Sequence, residues 1–197
     1  MTLRRSQRRQ QVALLTLGVV ALAAIVWIVA SAALGRPRSD GPLSASTGYV
    51  VHAKLAPGET LSWSVGLPFN HSDRDAVIRA VDLVGVRDVE ILAIVATHGV
   101  EWPDGSCLAA GANYGYPPSA TQPDDTTYEY PIHEIVGVIV PSERNRTCTT
   151  HPVISVGVRR TGAADLGGFD AVRVRYEHAG VDYEDVLPWG LTVEPKE

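Results

Sequence analysis

The sequence predicts a single N-terminal transmembrane helix followed by a mainly β domain folded as a two-sheet sandwich. Three observations carry this reading. Residues Val12 to Leu34 form a run of 23 residues with no ionisable side chain. From Tyr49 onward, short runs rich in Val, Ile, Tyr and Thr recur between turn residues, eight or nine in all. Near the C-terminus, polar and apolar residues alternate on both sides of a two-residue turn, as in a hairpin with one buried face.

The apolar run is long enough to cross a bilayer. A helix rises about 1.5 Å per residue and the hydrocarbon layer is about 30 Å thick, so about 20 apolar residues suffice. Within lipid only a helix satisfies all the backbone polar groups of a single segment. Four arginines, Arg4, Arg5, Arg8 and Arg9, precede the run, against Arg36 and Arg38 after it. The richer side stays inside, which places residues 1–11 in the cytoplasm, the helix at 12–34 in the plasma membrane, and everything later outside. Ala30-Ser31-Ala32 resembles a signal-peptidase site, but the apolar stretch exceeds the ~7–15 residues of a secretory signal, so the reading is an uncleaved signal-anchor. Arg8-Arg9 is followed by Gln10-Gln11, which removes a twin-arginine signal. No cysteine lies near the span to carry a lipid.

Residues 35–48 are rich in Pro, Gly, Ser and Ala without apolar periodicity and read as a linker. Strands are expected at Tyr49 to Leu55, Thr60 to Gly66, Ala76 to Val84, Arg87 to Thr97, Ile132 to Val140, Val153 to Arg160, Phe169 to His178 and Val181 to Leu187, with a last one at Leu191 to Val193. Pro57-Gly58 turns the chain between the first two, and Gly85-Val86 joins the third and fourth. Between the second and third, Pro68-Phe69-Asn70-His71-Ser72-Asp73 makes a turn in which Asn70 can fold back on its own backbone.

A turn at Ala179-Gly180 pairs His178 with Val181, Tyr176 with Tyr183, Arg175 with Glu184 and Val174 with Asp185. Val174, Tyr176, Val181 and Tyr183 then share one face, and Arg173, Arg175, Glu177, Asp182 and Glu184 the other. Asp185 falls on the apolar face, a misfit expected at a strand end or bulge. Trp63 on the second strand is a core aromatic. The span, the strand spacing and the Phe69-Asn70-His71-Ser72 turn together resemble the immunoglobulin-like extracytoplasmic modules of single-pass bacterial membrane proteins of actinobacterial type. That resemblance covers the strand pattern of residues 49–193, within one domain expected at 49–194, rests on no specific motif, and implies architecture, not activity.

Charge and composition exclude several function classes. Of 17 basic and 22 acidic residues, six Arg and one Asp fall within residues 1–40, which leaves 11 basic against 21 acidic residues and a net charge near −10 outside the membrane. With only Lys54 and Lys196 as lysines, this domain lacks the clustered cations that a nucleic-acid backbone requires. Fifteen arginines beside two lysines, with abundant Ala, Val and Gly, suit a high-GC bacterial genome.

No catalytic signature survives. His133-Glu134-Ile135-Val136-Gly137 begins like H-E-x-x-H, but the position of the second histidine is Gly and the segment reads as strand. Gly105-Ser106-Cys107 lacks the G-x-S-x-G elbow, and no Ser stands three residues before either Lys. Cys107 and Cys148 are the only cysteines, and outside the membrane a disulfide is expected, closing a loop of about 40 residues worth roughly 4 kcal/mol. The alternative is a metal-binding domain. Cys148 and His151 are spaced for copper, but the only Met is Met1, on the other side of the membrane, and a thiolate would have to be spared from the disulfide. Asp73-Arg74-Asp75 and Asp124-Asp125 could touch calcium without fitting an EF-type loop. Neither reading displaces the expectation of no bound metal and no cofactor. Asn70-His71-Ser72 and Asn145-Arg146-Thr147 match glycosylation sequons that a bacterial host leaves unused.

The segment Gly99 to Pro131 is the candidate functional region. It holds Pro103, Pro117, Pro118, Pro123 and Pro131 together with Trp102, Tyr114, Tyr116, Tyr128 and Tyr130, and reads as one long loop between strands. Loops beyond about 12–15 residues in compact domains are usually functional or disordered. The five aromatics either cover an open end of the sandwich or form a contact surface, since Tyr and Trp give rigid amphipathic area at low entropic cost. The function expected is a non-catalytic binding or assembly module, tied to the bilayer through residues 12–34 and meeting another extracytoplasmic or membrane protein through this loop. The alternatives are the metal-binding domain and an enzyme whose site is assembled from distant strands.

Overall fold

Alternating Val-rich runs bounded by Gly, Pro and Asp leave the backbone one economical solution, strand pairing, and that is what the computed structural model contains. It describes residues 37–44, 48–101, 107–108, 111–121, 127–129, 131–162 and 165–196. The expected transmembrane helix at 12–34 lies outside the described residues. Among those described, no helix is long and apolar enough to cross a membrane, and the one helical element is a 3-10 turn at Glu143–Asn145.

The strands in chain order are β1 (Leu43–Ser44), β2 (Tyr49–Leu55), β3 (Thr60–Gly66), β4 (Phe69–Asn70), β5 (Ala76–Val84), β6 (Val89–His98), β7 (Val100–Glu101), β8 (Cys107–Leu108), β9 (Gly111–Tyr114), β10 (Ser119–Thr121), β11 (Thr127–Glu129), β12 (His133–Glu134), β13 (Ile139–Val140), β14 (Pro152–Arg160), β15 (Gly167–Phe169), β16 (Ala171–His178), β17 (Val181–Leu187) and β18 (Trp189–Pro195). Three sheets hold the larger ones: β12-β6-β14-β3-β9, β13-β5-β16-β17 and β15-β18-β2. Among the described residues every pairing between strands is antiparallel except β18 with β2, which runs parallel from Trp189↔Tyr49 to Pro195↔Leu55.

All three sheets feed one hydrophobic core, the arrangement of a mainly β fold and consistent with a sandwich. Trp63 of β3 is fully enclosed there, with the Phe169 ring edge-on at 5.2 Å. Ile154, Val156 and Val158 of β14 and Val172, Val174 and Tyr176 of β16 enter the same core at period two. Burying one such side chain stabilises the fold by about 1.5–3 kcal/mol.

The hairpin of β16 and β17 has the expected register throughout, from His178↔Val181 to Val174↔Asp185, and its turn residues Ala179 and Gly180 both have positive φ. Its outward face carries ion pairs: Arg175 reaches Asp82 at 2.6 Å and Glu184 at 3.2 Å, and Arg79 pairs with Glu177. All are exposed, so each contributes at most about 1 kcal/mol. A register shift between Arg175 and Tyr176 in the pairing with β5 marks a bulge beside the misfit carboxylate.

Four expectations from the sequence change here. The run Ile132 to Val140 is two short strands, because Gly137 adopts φ +87 and breaks the alternation. Its first part pairs with β6 and its second with β5, so one ribbon lies along the edges of two sheets. Phe169 and Ala171 belong to separate strands, with Asp170 between them. The last strand runs beyond Leu191–Val193 in both directions, since parallel pairing to β2 supports residues that lack an alternating pattern. Of the stretch read as linker, residues 37–44 are bonded to the domain. Arg38 forms a parallel bridge with Tyr183, Arg38 N–H donates to Asp182 O at 3.0 Å, and Glu184 N–H donates to Arg38 O at 2.7 Å. Leu43 of β1 is buried in the core cluster.

Asn70 secures the corner where this entry segment meets the sheets. It is 1% exposed. Its amide nitrogen donates to Arg74 O at 2.8 Å and Val140 O at 3.2 Å, and its Oδ1 accepts from Ser72 N–H at 3.1 Å and the Ser72 hydroxyl at 2.7 Å. The turn in which Asn folds back on its own backbone is therefore present. With that nitrogen enclosed and engaged, the Asn70 sequon offers nothing to a glycosyl donor in the folded domain.

The misfit Asp185 has a partner as well. Tyr176 OH donates to Asp185 Oδ2 at 2.8 Å and accepts from Leu43 N–H at 3.4 Å. Gly41 lies so close to the Tyr176 hydroxyl that a Cβ there would overlap it. Burial, only partly offset by the Tyr176 bond, raises the Asp185 pKa above the usual carboxylate value. A carboxyl whose folded pKa exceeds its unfolded one gives stability that is present at low pH and lost as pH rises through the folded pKa. Asp185→Asn keeps an acceptor for Tyr176 without the charge. We expect its stability relative to wild type to improve as pH rises through that window, measured by urea unfolding between about pH 4 and 7; parallel pH profiles would contradict this.

Candidate functional site

The stretch Gly99 to Pro131 is not one structureless loop. Its described residues contain five short strands: β7 pairs with β8, β10 with β11, and β9 joins β3 as an edge of the five-stranded sheet. Its Gly and Pro content concealed them, because a strand of four residues such as Gly111-Ala112-Asn113-Tyr114 has no legible alternation. Trp102 and Tyr130 lie outside the described residues, as do Asp124 and Asp125. The side chains of Tyr128, on β11, and of Cys107, on β8, lie outside them too.

Tyr114 and Tyr116 are described, and their environments differ. Tyr114 closes β9 opposite Leu61 and is 68% exposed, the highest value among the exposed large hydrophobic side chains described. The Lys196 ammonium sits 5.8 Å from its ring centre. After Tyr114 the chain turns at Gly115, whose φ of +98 a side chain would resist. Gly115 N–H donates to Thr60 O at 2.8 Å, and the Ser62 hydroxyl donates to Gly115 O at 2.6 Å. This fixed turn delivers the Tyr116 ring onto Gly157 in the middle of β14, where any Cβ would collide with it. The face of the sheet turned away from the core is therefore covered here. Ser64 and Ser155 share a hydrogen bond of 2.8 Å on it, and Thr97 lies 3.3 Å from the Ser155 hydroxyl.

Chain topology assembles a second cluster from residues far apart in sequence. His71, His98, His133, His151 and His178, five of the six histidines, gather at the end of the domain where β3 and β6 finish and β14 starts. His98 pairs with Pro152, His133 with Ala96 and His178 with Ala76. Ser72 Oγ and His178 Nε2 are 2.8 Å apart, but the same hydroxyl also contacts Asn70 Oδ1 and Arg74 O, so it serves the turn. His151 is buried against the Phe69 ring at 5.4 Å, and Arg146 lies over that ring at 4.2 Å. Burial, reinforced by the Arg146 charge, holds the His151 pKa below the ordinary imidazole value, so the ring is neutral at pH 7; its Nδ1 has no partner among the described residues.

For the proposed copper set, Cys148 is not a free thiol. Among the described residues no group of three or more His, Cys, Asp or Glu is placed to hold a metal ion. Of the calcium candidates, Asp75 Oδ1 is engaged by Ser142 N–H at 2.8 Å. No family model matches the chain, and no curated protein matches it.

The two tyrosines, alike in sequence, should therefore separate on mutation. Tyr116→Ala uncovers Gly157 and is expected to cost about 1–3 kcal/mol, whereas Tyr114→Ala should change stability by less than about 0.5 kcal/mol. Chemical denaturation of both variants checks this; equal losses would remove the distinction.

Proposed function

We propose that the chain is a membrane-anchored extracytoplasmic binding or assembly module of immunoglobulin-like sandwich architecture without intrinsic catalysis. The anchor is the apolar run at 12–34, with the N-terminus cytoplasmic, and the partner is another extracytoplasmic or membrane protein. Tyr114 is the observation that supports this reading. A ring two-thirds exposed, on a strand that ends its sheet among the described residues, contributes little to the fold, while a rigid aromatic there is suited to a protein contact. The strand edge could add hydrogen bonds to a partner's strand, with Tyr114 as its anchor residue.

The contact region is narrower than the whole aromatic stretch, since Tyr116 is committed to the sheet. A Cys107–Cys148 disulfide would tie β8, just before this edge, to the turn that follows Glu143–Asn145. The intact native protein should then show no thiol reactive to maleimide until reduced, and labelling of two thiols in the unreduced, unfolded chain would remove the disulfide from the proposal.

Crosslinking from position 114 in intact cells tests the function. A photoreactive residue at Tyr114 is expected to trap a discrete partner in a membrane fraction that resists high-salt extraction. Tyr114→Ala should weaken association with the recovered partner by about 1–2 kcal/mol with unchanged thermal stability. Absence of any adduct from position 114, with adducts appearing from the outward hairpin residues Arg175 or Glu184, would move the contact surface elsewhere.

A further inference from the structure

The histidine-rich end contains one pair that the contact reading does not use. His98 ends β6 and His133 begins β12, the short strand paired to it. They are 35 positions apart in sequence, but the register His133↔Ala96 sets His98 two residues further along the same face. Both are exposed, their ring centroids are 5.5 Å apart, and their planes meet at 61°.

We propose that His98 and His133 form a two-imidazole binding site for a divalent transition cation of the copper and zinc class. Two imidazoles holding one such ion at about 2.0–2.1 Å per nitrogen with a near-tetrahedral angle have ring centres about 5 Å apart, which is close to the observed spacing. The backbone on both sides is fixed by strand pairing, which limits the entropy lost on closing the site. The chemistry suits imidazole donors, which favour copper and zinc over magnesium or calcium, and Cu2+ binds most tightly in the divalent series. With two protein donors the remaining coordination positions face solvent, where water or a donor from a second molecule completes the sphere.

The site differs from the Cys148–His151 set considered from the sequence, and it is independent of Tyr114. The test uses the purified full-length chain, free of affinity tags, titrated with CuCl2 at pH 7.5. Wild type is expected to bind one equivalent with electron paramagnetic resonance couplings to two nitrogens, and His98→Gln or His133→Gln alone should weaken binding at least tenfold. Circular dichroism confirms folding first, with the Asn variants substituted for either Gln variant that does not fold. Retention of the wild-type spectrum and stoichiometry in the double variant, or no stoichiometric Cu2+ uptake by wild type at micromolar protein, would overturn the proposal.

Discussion

A single primary amide, that of Asn70, holds the corner on which the arrangement of the sheets depends. Its four hydrogen bonds tie the turn after β4 to the end of β13, and β4 itself pairs with β1, the entry segment. A buried amide left without partners costs about 1–3 kcal/mol per group, so these strands cannot drift apart without stranding polar atoms in the core. Neighbouring contacts depend on the same corner. Ser142 bridges to Asn70, Phe69 sits on His151, and the histidines collect around them. The domain end is thus specified by directional bonds, whereas the interior around Trp63 is specified by volume.

Sequence legibility followed locality. The β16–β17 hairpin is legible residue by residue because its turn, its alternation and the Arg175–Glu184 pair all lie within 17 positions, and each cue favours the same register. The ends of β2, β3 and β5 are legible from equally local cues, the turn residues that flank them. Contacts depending on distant register were invisible. Nothing in Trp189 to Pro195 indicates a parallel neighbour at Tyr49 to Leu55, and nothing near His98 points to His133. Gly157 reads as a weak point in a strand until the Tyr116 ring is seen above it. The aromatic stretch was singled out by composition, but composition could not separate the tyrosine that covers the sheet from the one that faces solvent.

That separation rests on one residue. Gly115 accepts a backbone conformation closed to most side chains, and its two hydrogen bonds to β3 fix where the chain goes next. A Tyr on either side therefore has a different fate by geometry alone. The same device limits edge exposure, since the chain leaves β9 after four residues and folds back over the sheet. Elsewhere, the bridge from Arg38 to Tyr183 occupies part of the β17 edge. Short or partly occupied edges keep an antiparallel sheet from pairing indiscriminately with other chains.

The parallel pairing of β2 with β18 has a mechanical consequence. These are the first and last long strands of the domain, joined side by side over seven register pairs. A pull between the two ends of the domain draws β2 back from Tyr49 and β18 forward from Pro195, sliding one strand past the other. All seven pairs then bear the load together instead of opening one at a time, as they would in a hairpin pulled from its open end.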